Sequence, residues 1–479
     1  MAPDFTVDLP EQDPDEDDDS DGGDDTDGGG DDEVMSNEMI KPLSSTPAHL
    51  RRYKLSLLDQ LCPKAYLSFI YFYETNNNTS TESNIADDIS NKLKKSLSQV
   101  LTLYYPLAGT FTDENYVNCN DNGVLFVEAR ALKSQLTDDL KNKPSTTPCE
   151  LNEFLPFQLD QLTELPLGIQ LNIFESGGVA IGVCLSHRLV DDLSSLFFIK
   201  NWMAIARGDE GAVVRPELVS AASLIPPKDM ASYDPSQVVQ KSNTVITKRF
   251  VFNACKVEAL RAKYEEKTNQ ENSPKWRLST MEALSAFIWS RFVAATKIVP
   301  EPAFNIRTIH HTVNLRPMFD PPLPPHSFGN FYTSSVTIPP LSSSSSSKEE
   351  DCNYGLARAI GEDIRKINKE DVENLRSVGD EFMDSLKKGT EIFVKGDMVS
   401  LVFTSVCGFP AYEADFGLGK PTWVSSGARC FKNVIAFLDN IMGDGVLEAY
   451  ICFKPKDMAK FEVDKEFLAL VISPTDAST

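Results

Sequence analysis

Hydrophobic residues recur with two alternating periods along the chain. Within residues 86–103 they stand four positions apart, which predicts a helix with one apolar face. Two apolar runs, 169–173 and 179–185, flank a Gly-Gly pair and predict a β-hairpin. The helical period returns after Asp192, where one face carries Leu196, Ile199, Met203 and Ala206.

The second half of the chain repeats this alternation. Ser279-Thr280-Met281-Glu282 has the pattern of a capping box, which predicts a helix from there through Ala294. Strand-like runs occur in both halves, and two of them lie on either side of Asn122-Gly123. The runs are 115–118, 124–129, 308–314, 398–405, 434–438 and 447–453. The sequence therefore predicts an α/β protein in two halves, while the pattern alone leaves the topology open.

Breaks in composition divide the 479 residues. Residues 1–36 are dominated by Asp and Gly and are predicted to be a disordered acidic tail. Residues 207–243 are rich in Pro, Ser and small side chains, and are predicted to be a crossover linker. The linker would separate an N-terminal domain, 37–206, from a C-terminal domain, 244–479. A run of six serines within 338–350 predicts an exposed loop.

The charge is concentrated in the tail. The formal net charge is −24, but residues 1–40 contain 17 acidic and no basic residues, which leaves 53 acidic against 46 basic residues in the remainder. A mildly acidic body argues against nucleic-acid binding and against a polybasic membrane anchor. No secretory signal or long apolar span is visible, and the nine cysteines are dispersed. We therefore expect a cytoplasmic protein with reduced thiols and no membrane partner.

Histidine is scarce, so the five present form a short list of candidate general bases. His187 follows a predicted strand and precedes a predicted helix, and Asp191 lies four residues on. On the pattern alone, a structural histidine stays the default interpretation. His310 and His311 lie within one strand-like run, where their side chains point to opposite faces, so a structural role is expected for both. No motif for zinc, a nucleotide phosphate or a serine nucleophile is present.

Several ordered motifs resemble those of the BAHD family of plant acyl-CoA-dependent acyltransferases, from about Met39 to the C-terminus. The motifs are Tyr105-Pro106-Leu107-Ala108-Gly109, Cys119-Asn120-Asp121-Asn122-Gly123-Val124, Ser186-His187 to Asp191, Asn314-Leu315-Arg316, and Asp415-Phe416-Gly417-Leu418-Gly419-Lys420-Pro421. The opening and the Asn-Leu-Arg-Pro segment are most similar to the alkaloid and terpenoid O-acetyltransferase branch.

This resemblance implies two chloramphenicol-acetyltransferase-like domains with mixed sheets, a long crossover and a substrate channel between the domains. It implies that His187 is the general base, that Asp191 and Arg316 form a structural ion pair, and that Asp415 supports the fold around the channel. It also implies a monomer without a metal or bound cofactor. The co-substrate is acyl-CoA, with acetyl-CoA expected, and the acceptor is a hydroxyl of a specialised metabolite such as an indole-type alkaloid.

Three further residues carry weaker expectations. Thr404 and Ser405 fall in the family segment whose hydroxyls lie near the coenzyme A and the reacting centre; packing at the end of a strand is the alternative. Arg429 follows the Asp-Phe-Gly block, where a guanidinium facing the channel would bind the carboxylate of a malonyl donor from malonyl-CoA. A solvated surface arginine is the alternative for Arg429.

The chain departs from the family pattern at five positions: Thr110, Asp192, Val406, Gly408 and Leu418. Val406 and Leu418 replace aromatic residues, and Asp192 replaces a small one. Asp192 is expected either to begin the helix, where a carboxylate interacts well with the free amides, or to face the channel. These departures keep open a catalytically degenerate family member that binds a ligand without turnover.

Overall fold

The computed structural model describes most of the chain after the acidic tail. The described residues are 33–74, 82–112, 115–131, 148–175, 177–218, 221–230, 233–238, 244–269, 277–296, 306–339, 349–395, 398–409, 411–428, 431–443 and 445–472. Most of the predicted tail and the serine run at 342–347 lie outside these ranges. The first strand begins at Glu33, so residues 33–36 of the predicted tail belong to a strand, because the neighbouring strand 124–131 pairs with them.

Fifteen strands are found in the described residues. They are β1 (Glu33–Ile40), β2 (Arg52–Lys54), β3 (Tyr66–Tyr73), β4 (Thr110–Phe111), β5 (Tyr116–Asn118), β6 (Val124–Ala131), β7 (Leu167–Phe174), β8 (Val179–Ser186), β9 (Ile246–Phe252), β10 (Ile306–Asn314), β11 (Tyr332–Thr337), β12 (Met398–Ser405), β13 (Trp423–Ser425), β14 (Val434–Asp439) and β15 (Leu447–Phe453).

The described residues also form eleven α-helices. They are α1 (Leu57–Leu61), α2 (Glu82–Leu103), α3 (Asp192–Arg207), α4 (Ala221–Leu224), α5 (Ala254–Asn269), α6 (Thr280–Thr296), α7 (Glu349–Lys366), α8 (Lys369–Ser377), α9 (Asp380–Lys395), α10 (Pro455–Phe461) and α11 (Lys465–Leu470). Of these described helices, none is both long and apolar enough to cross a bilayer.

Two six-stranded sheets organise the fold. The first has the order β1-β6-β7-β8-β3-β13, and the second has the order β11-β10-β12-β14-β15-β9. Parallel pairs occur between β6 and β7 and among β10, β12 and β14, while the other neighbours are antiparallel. Both sheets are therefore mixed, which confirms the predicted α/β class with two mixed sheets.

Local sequence signals account for the helices that frame the site. Asp191 caps α3 by accepting a hydrogen bond from the amide of Ser194 at 2.8 Å, and Gly208 ends the helix with a positive φ of 75°. The capping box that opens α6 is also present, since Ser279 and Glu282 exchange side-chain and amide hydrogen bonds. The apolar face of α3 packs with that of α2 over the first sheet.

The first sheet ends with a strand from the second half of the chain. β13 pairs with β3, and Trp423 stacks on Phe72 with ring centroids 4.8 Å apart. The predicted runs at 115–118 and 124–129 are both strands, but they belong to different sheets. β5 pairs with β2 and β4, whereas β6 joins the first large sheet. Within the described parts of 208–245, the chain forms only short helices, at 210–212, 221–224 and 235–238.

Candidate active site

His187 lies in the turn that follows β8. Its backbone N–H donates to the carbonyl of Ala65 at 2.9 Å, and its own carbonyl accepts a hydrogen bond from the side chain of Asn330 at 2.8 Å. The backbone of the turn is thus held by both halves of the chain. The imidazole is half-buried and lines a cavity of about 680 Å³.

The contacts of the imidazole decide which nitrogen can act as a base. Nδ1 lies 3.1 Å from the carbonyl oxygen of Val190. A carbonyl only accepts hydrogen bonds, so Nδ1 must carry the proton, and Nε2 then keeps its lone pair. Nε2 lies 3.4 Å from the hydroxyl of Tyr332, whose ring stacks against the imidazole at 5.6 Å. The ring therefore presents its basic nitrogen on the side occupied by Tyr332.

Asp191 forms a buried ion pair with Arg316. Two guanidinium nitrogens of Arg316 lie 2.7 and 3.0 Å from the two carboxylate oxygens, and the amide of Phe331 donates to Asp191 at 3.0 Å. Burial by itself would raise the pKa of Asp191. The Arg316 guanidinium and the amides of Phe331 and Ser194 outweigh this effect and hold the pKa below its usual range. The carboxylate therefore stays ionised.

The remaining donors of Arg316 are also used. The guanidinium donates to the carbonyl oxygens of Ser327 and Gly329 at 2.9 and 3.3 Å, and to the hydroxyl of Ser194 at 3.0 Å. Arg316 follows β10 in the second half, and Asp191 precedes α3 in the first half. The pair therefore joins the two halves directly beside the turn that carries His187.

The wall of the large cavity brings together five of the seven residues to which the sequence analysis gave a catalytic, supporting or substrate-binding role. They are His187, Asp191, Arg316, Thr404 and Ser405. Thr404 and Ser405 form the end of β12. The hydroxyl of Thr404 accepts a hydrogen bond from Thr312 at 3.1 Å, and the hydroxyl of Ser405 accepts one from the amide of Cys407 at 3.2 Å. Each hydroxyl therefore keeps its own proton and further hydrogen-bonding capacity.

Asp415 lies away from His187, in the wall of a second cavity of about 490 Å³ that shares Leu193 and Phe409 with the first. One carboxylate oxygen accepts hydrogen bonds from the amides of Gly417, Leu418 and Gly419 at 2.6 to 3.1 Å. These bonds fold the loop around the carboxylate. Arg429 lies outside the described residues, so its expected place in the channel is not addressed by the structure.

Comparison with known proteins agrees with these features. The sequence model of the Transferase family matches residues 33–468. Limonoid 1-O-acetyltransferase of Citrus sinensis is 32% identical, over 91% of this chain and 97% of its own. Stemmadenine O-acetyltransferase of Catharanthus roseus is 33% identical, over 92% and 97%. The crystal structure of vinorine synthase superposes with a TM-score of 0.73 at 31% identity, covering 92% of this chain and 99% of that one.

The protein is a BAHD acyltransferase. Members of this family use acyl-CoA as the donor, so the chain is an acyl-CoA-dependent acyltransferase. The BAHD fold and the enzyme class expected from the motifs are thereby confirmed.

Four of the departures from the BAHD pattern have distinct surroundings. Asp192 does both things expected of it, since it is the first residue of α3 and it lines the large cavity. Leu418 packs against the apolar core that the first sheet forms with α2 and α3. Val406 is buried beside Phe409. Gly408 has a φ of 82°, and its amide donates to Asp439 at 2.6 Å. Glycine suits this left-handed position, which most side chains avoid.

His310 and His311 point to opposite faces of β10, as the strand-like pattern predicts. His311 is buried against α6, bonded to the hydroxyl of Ser285 at 3.0 Å, and burial lowers its pKa to about 4. His310 lines the large cavity, where its ring nitrogens lie 2.9 and 3.2 Å from the hydroxyls of Thr308 and Ser334. The structural role expected for His310 stays a prediction.

A buried carboxylate behind the site also escaped the sequence analysis. Asp59 accepts hydrogen bonds from the amide and hydroxyl of Ser56 and from the amide and side chain of Asn330, at 2.7 to 3.1 Å. Burial raises the pKa of Asp59 to about 6, and the hydrogen bonds from Ser56 and Asn330 only partly oppose this. Because Asn330 also bonds the carbonyl of His187, Asp59 supports the turn that carries His187 from behind.

Proposed function

We propose that this protein transfers an acyl group, acetyl in the first instance, from coenzyme A to a hydroxyl of a bulky plant metabolite, with His187 as the general base. One observation carries the proposal. Val190 fixes the proton of the imidazole on Nδ1, so that Nε2 is left as a base in the wall of a cavity of about 680 Å³.

The reaction follows from that nitrogen. The acceptor hydroxyl gives its proton to Nε2 as its oxygen attacks the thioester carbonyl, and a carbon–oxygen bond forms. When the tetrahedral intermediate collapses, the carbon–sulfur bond breaks and the leaving thiolate takes the proton back from the imidazolium. General-base catalysis of this kind contributes about 10²–10⁴-fold, and the positioning of two substrates in one cavity contributes much of the rest.

The neighbouring groups divide the other tasks. Asp191 and Arg316 are positioning residues, because their ion pair fixes the start of α3 and the loop at 327–331 around His187. Thr404 and Ser405 are proposed as hydroxyl donors to the thioester oxygen, since both line the same cavity as His187. Asp415 is proposed to act only through the loop that it organises.

The cavity favours a large, mostly apolar acceptor. Aromatic and aliphatic side chains form much of its wall, among them Phe382, Leu386, Phe393, Phe409 and Phe431. A volume of about 680 Å³ accommodates a polycyclic molecule together with part of the donor. The named relatives act on limonoids and on stemmadenine. We therefore propose an alkaloid or terpenoid alcohol as the acceptor.

The proposal is tested by thiol release from acetyl-CoA in the presence of a panel of hydroxylated alkaloids and limonoids. Wild type is expected to release thiol and form ester in equal amounts with at least one acceptor. His187→Ala should lose at least about 10²-fold in turnover. His49→Ala, which alters a histidine outside the cavity, is the matched control and should retain wild-type turnover.

Two outcomes would overturn the proposal. Equal turnover in wild type and His187→Ala would rule out His187 as the general base. Tight binding of acceptors without turnover in either protein would instead support the degenerate ligand-binding alternative.

Malonyl transfer is the alternative for the donor, and it depends on Arg429. Competition between acetyl-CoA and malonyl-CoA, measured in wild type and in Arg429→Phe, distinguishes the two. A malonyl enzyme would shift toward acetyl in the variant, whereas an unchanged preference would remove the role of Arg429.

We also propose that the enzyme works as a monomer in the cytoplasm. The dispersed cysteines support this, since Cys62, Cys119, Cys184, Cys255, Cys407 and Cys452 are free thiols and four of these six are buried. Size-exclusion chromatography and localisation of a fluorescent fusion test these two points, and a stable dimer or a secreted product would contradict them.

A further inference from the structure

Tyr332 stands between two hydrogen-bond acceptors beside the catalytic base. Its hydroxyl lies 3.4 Å from Nε2 of His187 and 3.4 Å from Sγ of Cys62. Nε2 can only accept, because the proton of the ring is on Nδ1. The thiol of Cys62 already points its proton at the carbonyl of Leu58, 3.2 Å away, so its sulfur is free to accept as well.

The phenol therefore has one proton and two acceptors for it. Burial raises the pKa of Tyr332 well above its usual range, so the phenol remains a donor at every pH at which the enzyme works. When an acceptor alcohol arrives, it must donate to the same lone pair of Nε2 that the phenol uses. One lone pair cannot take both donors.

Resting on the proposed role of His187, we propose that Tyr332 is a switchable positioning residue. In the substrate-free enzyme its hydroxyl donates a hydrogen bond to Nε2. When the acceptor hydroxyl binds, the phenol turns and donates to the sulfur of Cys62 instead. The sulfur of Cys62 then accepts the hydrogen bond that the phenol no longer donates to Nε2. No covalent bond of Tyr332 or Cys62 changes during the reaction.

The proposal makes a signed prediction about the basicity of His187. A hydrogen bond donated to Nε2 stabilises the neutral imidazole relative to the protonated one. Removing the phenol by Tyr332→Phe should therefore move the acid limb of kcat/KM to higher pH. Removing the alternative acceptor by Cys62→Ala should leave the phenol on Nε2 more of the time, and so move the limb to lower pH.

Neither variant alters a charge, because burial keeps both the phenol and the thiol protonated. This separates the hydrogen bond from the other electrostatic influences on the imidazole. The titratable and charged groups that surround His187 or line its cavity are Asp59, Cys62, Arg188, Asp191, Asp192, His310, Arg316, Tyr332 and Lys432. All the charged members of this set stay in place in both variants.

The experiment measures pH–rate profiles of the full-length enzyme with acetyl-CoA and an acceptor found by the panel. The limb should move up by about 0.4–1 pH unit in Tyr332→Phe, and the KM of the acceptor should fall by about twofold to tenfold. In Cys62→Ala, the limb and the KM should move in the opposite directions. In the double variant, Cys62→Ala should add nothing, because its effect passes through the phenol.

Tyr66→Phe is the matched control, since that phenol bonds Thr163 and the carbonyl of Leu165 away from the cavity. It should leave the limb where it is. Titration of the His187 imidazole by NMR in the substrate-free enzyme, assigned with His187→Ala, gives the same shifts without requiring turnover.

Unmoved limbs, shifts in the same direction in both variants, or a Cys62→Ala shift that persists in the Tyr332→Phe background would overturn the inference. These results would leave the general base untouched if His187→Ala is still inactive. Full turnover in His187→Ala would instead contradict the proposed function itself.

Discussion

Among the residues that the structure describes, two buried arginine–carboxylate pairs have the same chemistry and different surroundings. Asp191 and Arg316 lie beside the turn that carries His187, and both line the large cavity. Arg249 and Glu448 lie on the neighbouring strands β9 and β15, joined by two bonds of 2.6 and 2.7 Å. The guanidinium of Arg249 lies 5.2 Å from the ring of Trp423, on the strand that closes the first sheet.

The difference between the pairs lies in what else each carboxylate holds. Glu448 accepts from Asn440 and Tyr450, which belong to its own sheet or to the turn next to it. Asp191 caps a helix and binds an amide of the loop that carries Tyr332. A buried ion pair adds little net stability over an apolar replacement, but removal of one partner leaves a costly unpaired charge. Loss of either pair should therefore destabilise the fold, and only one loss should disturb the chemistry.

The largest effect is expected from Asp191→Ala. The variant leaves the buried Arg316 guanidinium without its carboxylate partner and removes a helix cap. The free energy of unfolding should therefore fall by about 3–5 kcal/mol. Displacement of the turn should lower kcat by roughly 10²-fold. Urea unfolding and initial rates measure the two quantities. A variant that is destabilised but keeps wild-type kcat would make this pair equivalent to the second one.

Arg249→Ala is the matched test at the second pair. The free energy of unfolding should fall by about 3 kcal/mol, because Glu448 is left buried without its partner. The kcat of the folded fraction should stay within about twofold of wild type, since neither residue lines the described cavities. A large loss of kcat in fully folded Arg249→Ala would contradict the view that only the Asp191–Arg316 pair affects the chemistry.

Asp59→Asn contrasts a buried carboxylate whose pKa is raised with Asp191, whose pKa is lowered. The folded pKa of Asp59 is raised to about 6, so the folded state keeps a proton that the unfolded state loses, and wild-type stability falls as pH rises from about 4 to about 6. The contribution of Asp191 has the opposite sign, because its pKa is lowered and its stabilisation is lost as pH falls.

The free energies of unfolding of wild type and Asp59→Asn should therefore change relative to each other by roughly 2–3 kcal/mol between pH 4 and pH 7, in favour of the variant. Denaturant titrations at a series of pH values measure this. A difference that is constant with pH would mean that Asp59 titrates normally.

The smallest effect is expected at an exposed ion pair. Lys420 and Glu413 are 2.7 Å apart, but their side chains are 66% and 60% exposed. Lys420→Met should change the free energy of unfolding by less than about 0.5 kcal/mol, because solvent and salt screen the pair. A change as large as that in Arg249→Ala would show that burial is not what separates these pairs.

Local sequence signals were sufficient to predict many of the elements. β12 and β15 have the predicted bounds, and the helix caps at Asp191 and Ser279 follow from short-range hydrogen bonds. The motifs also led to His187 and Arg316, which are adjacent to Asp191 in space. Short-range signals of this kind survive in the sequence because each involves residues close together along the chain.

Contacts between distant segments were not predictable in the same way. Asn330 binds Asp59 from 271 positions away, and Tyr332 reaches His187 across 145 positions. Nothing in the pattern of either segment indicates its partner. His310 reaches the cavity because its face of β10 is turned toward the first half of the chain. The sequence does not indicate which face of β10 that is.

The most direct test of the central claim is single-turnover acyl transfer followed as a function of pH in wild type and in His187→Ala, with both substrates bound. We predict an acid limb in wild type, where the imidazole becomes protonated. In the variant we predict a rate at least about 10²-fold lower and without that limb. A variant that transfers the acyl group within about tenfold of wild type, or that retains the same limb, would contradict the assignment of Nε2 as the base.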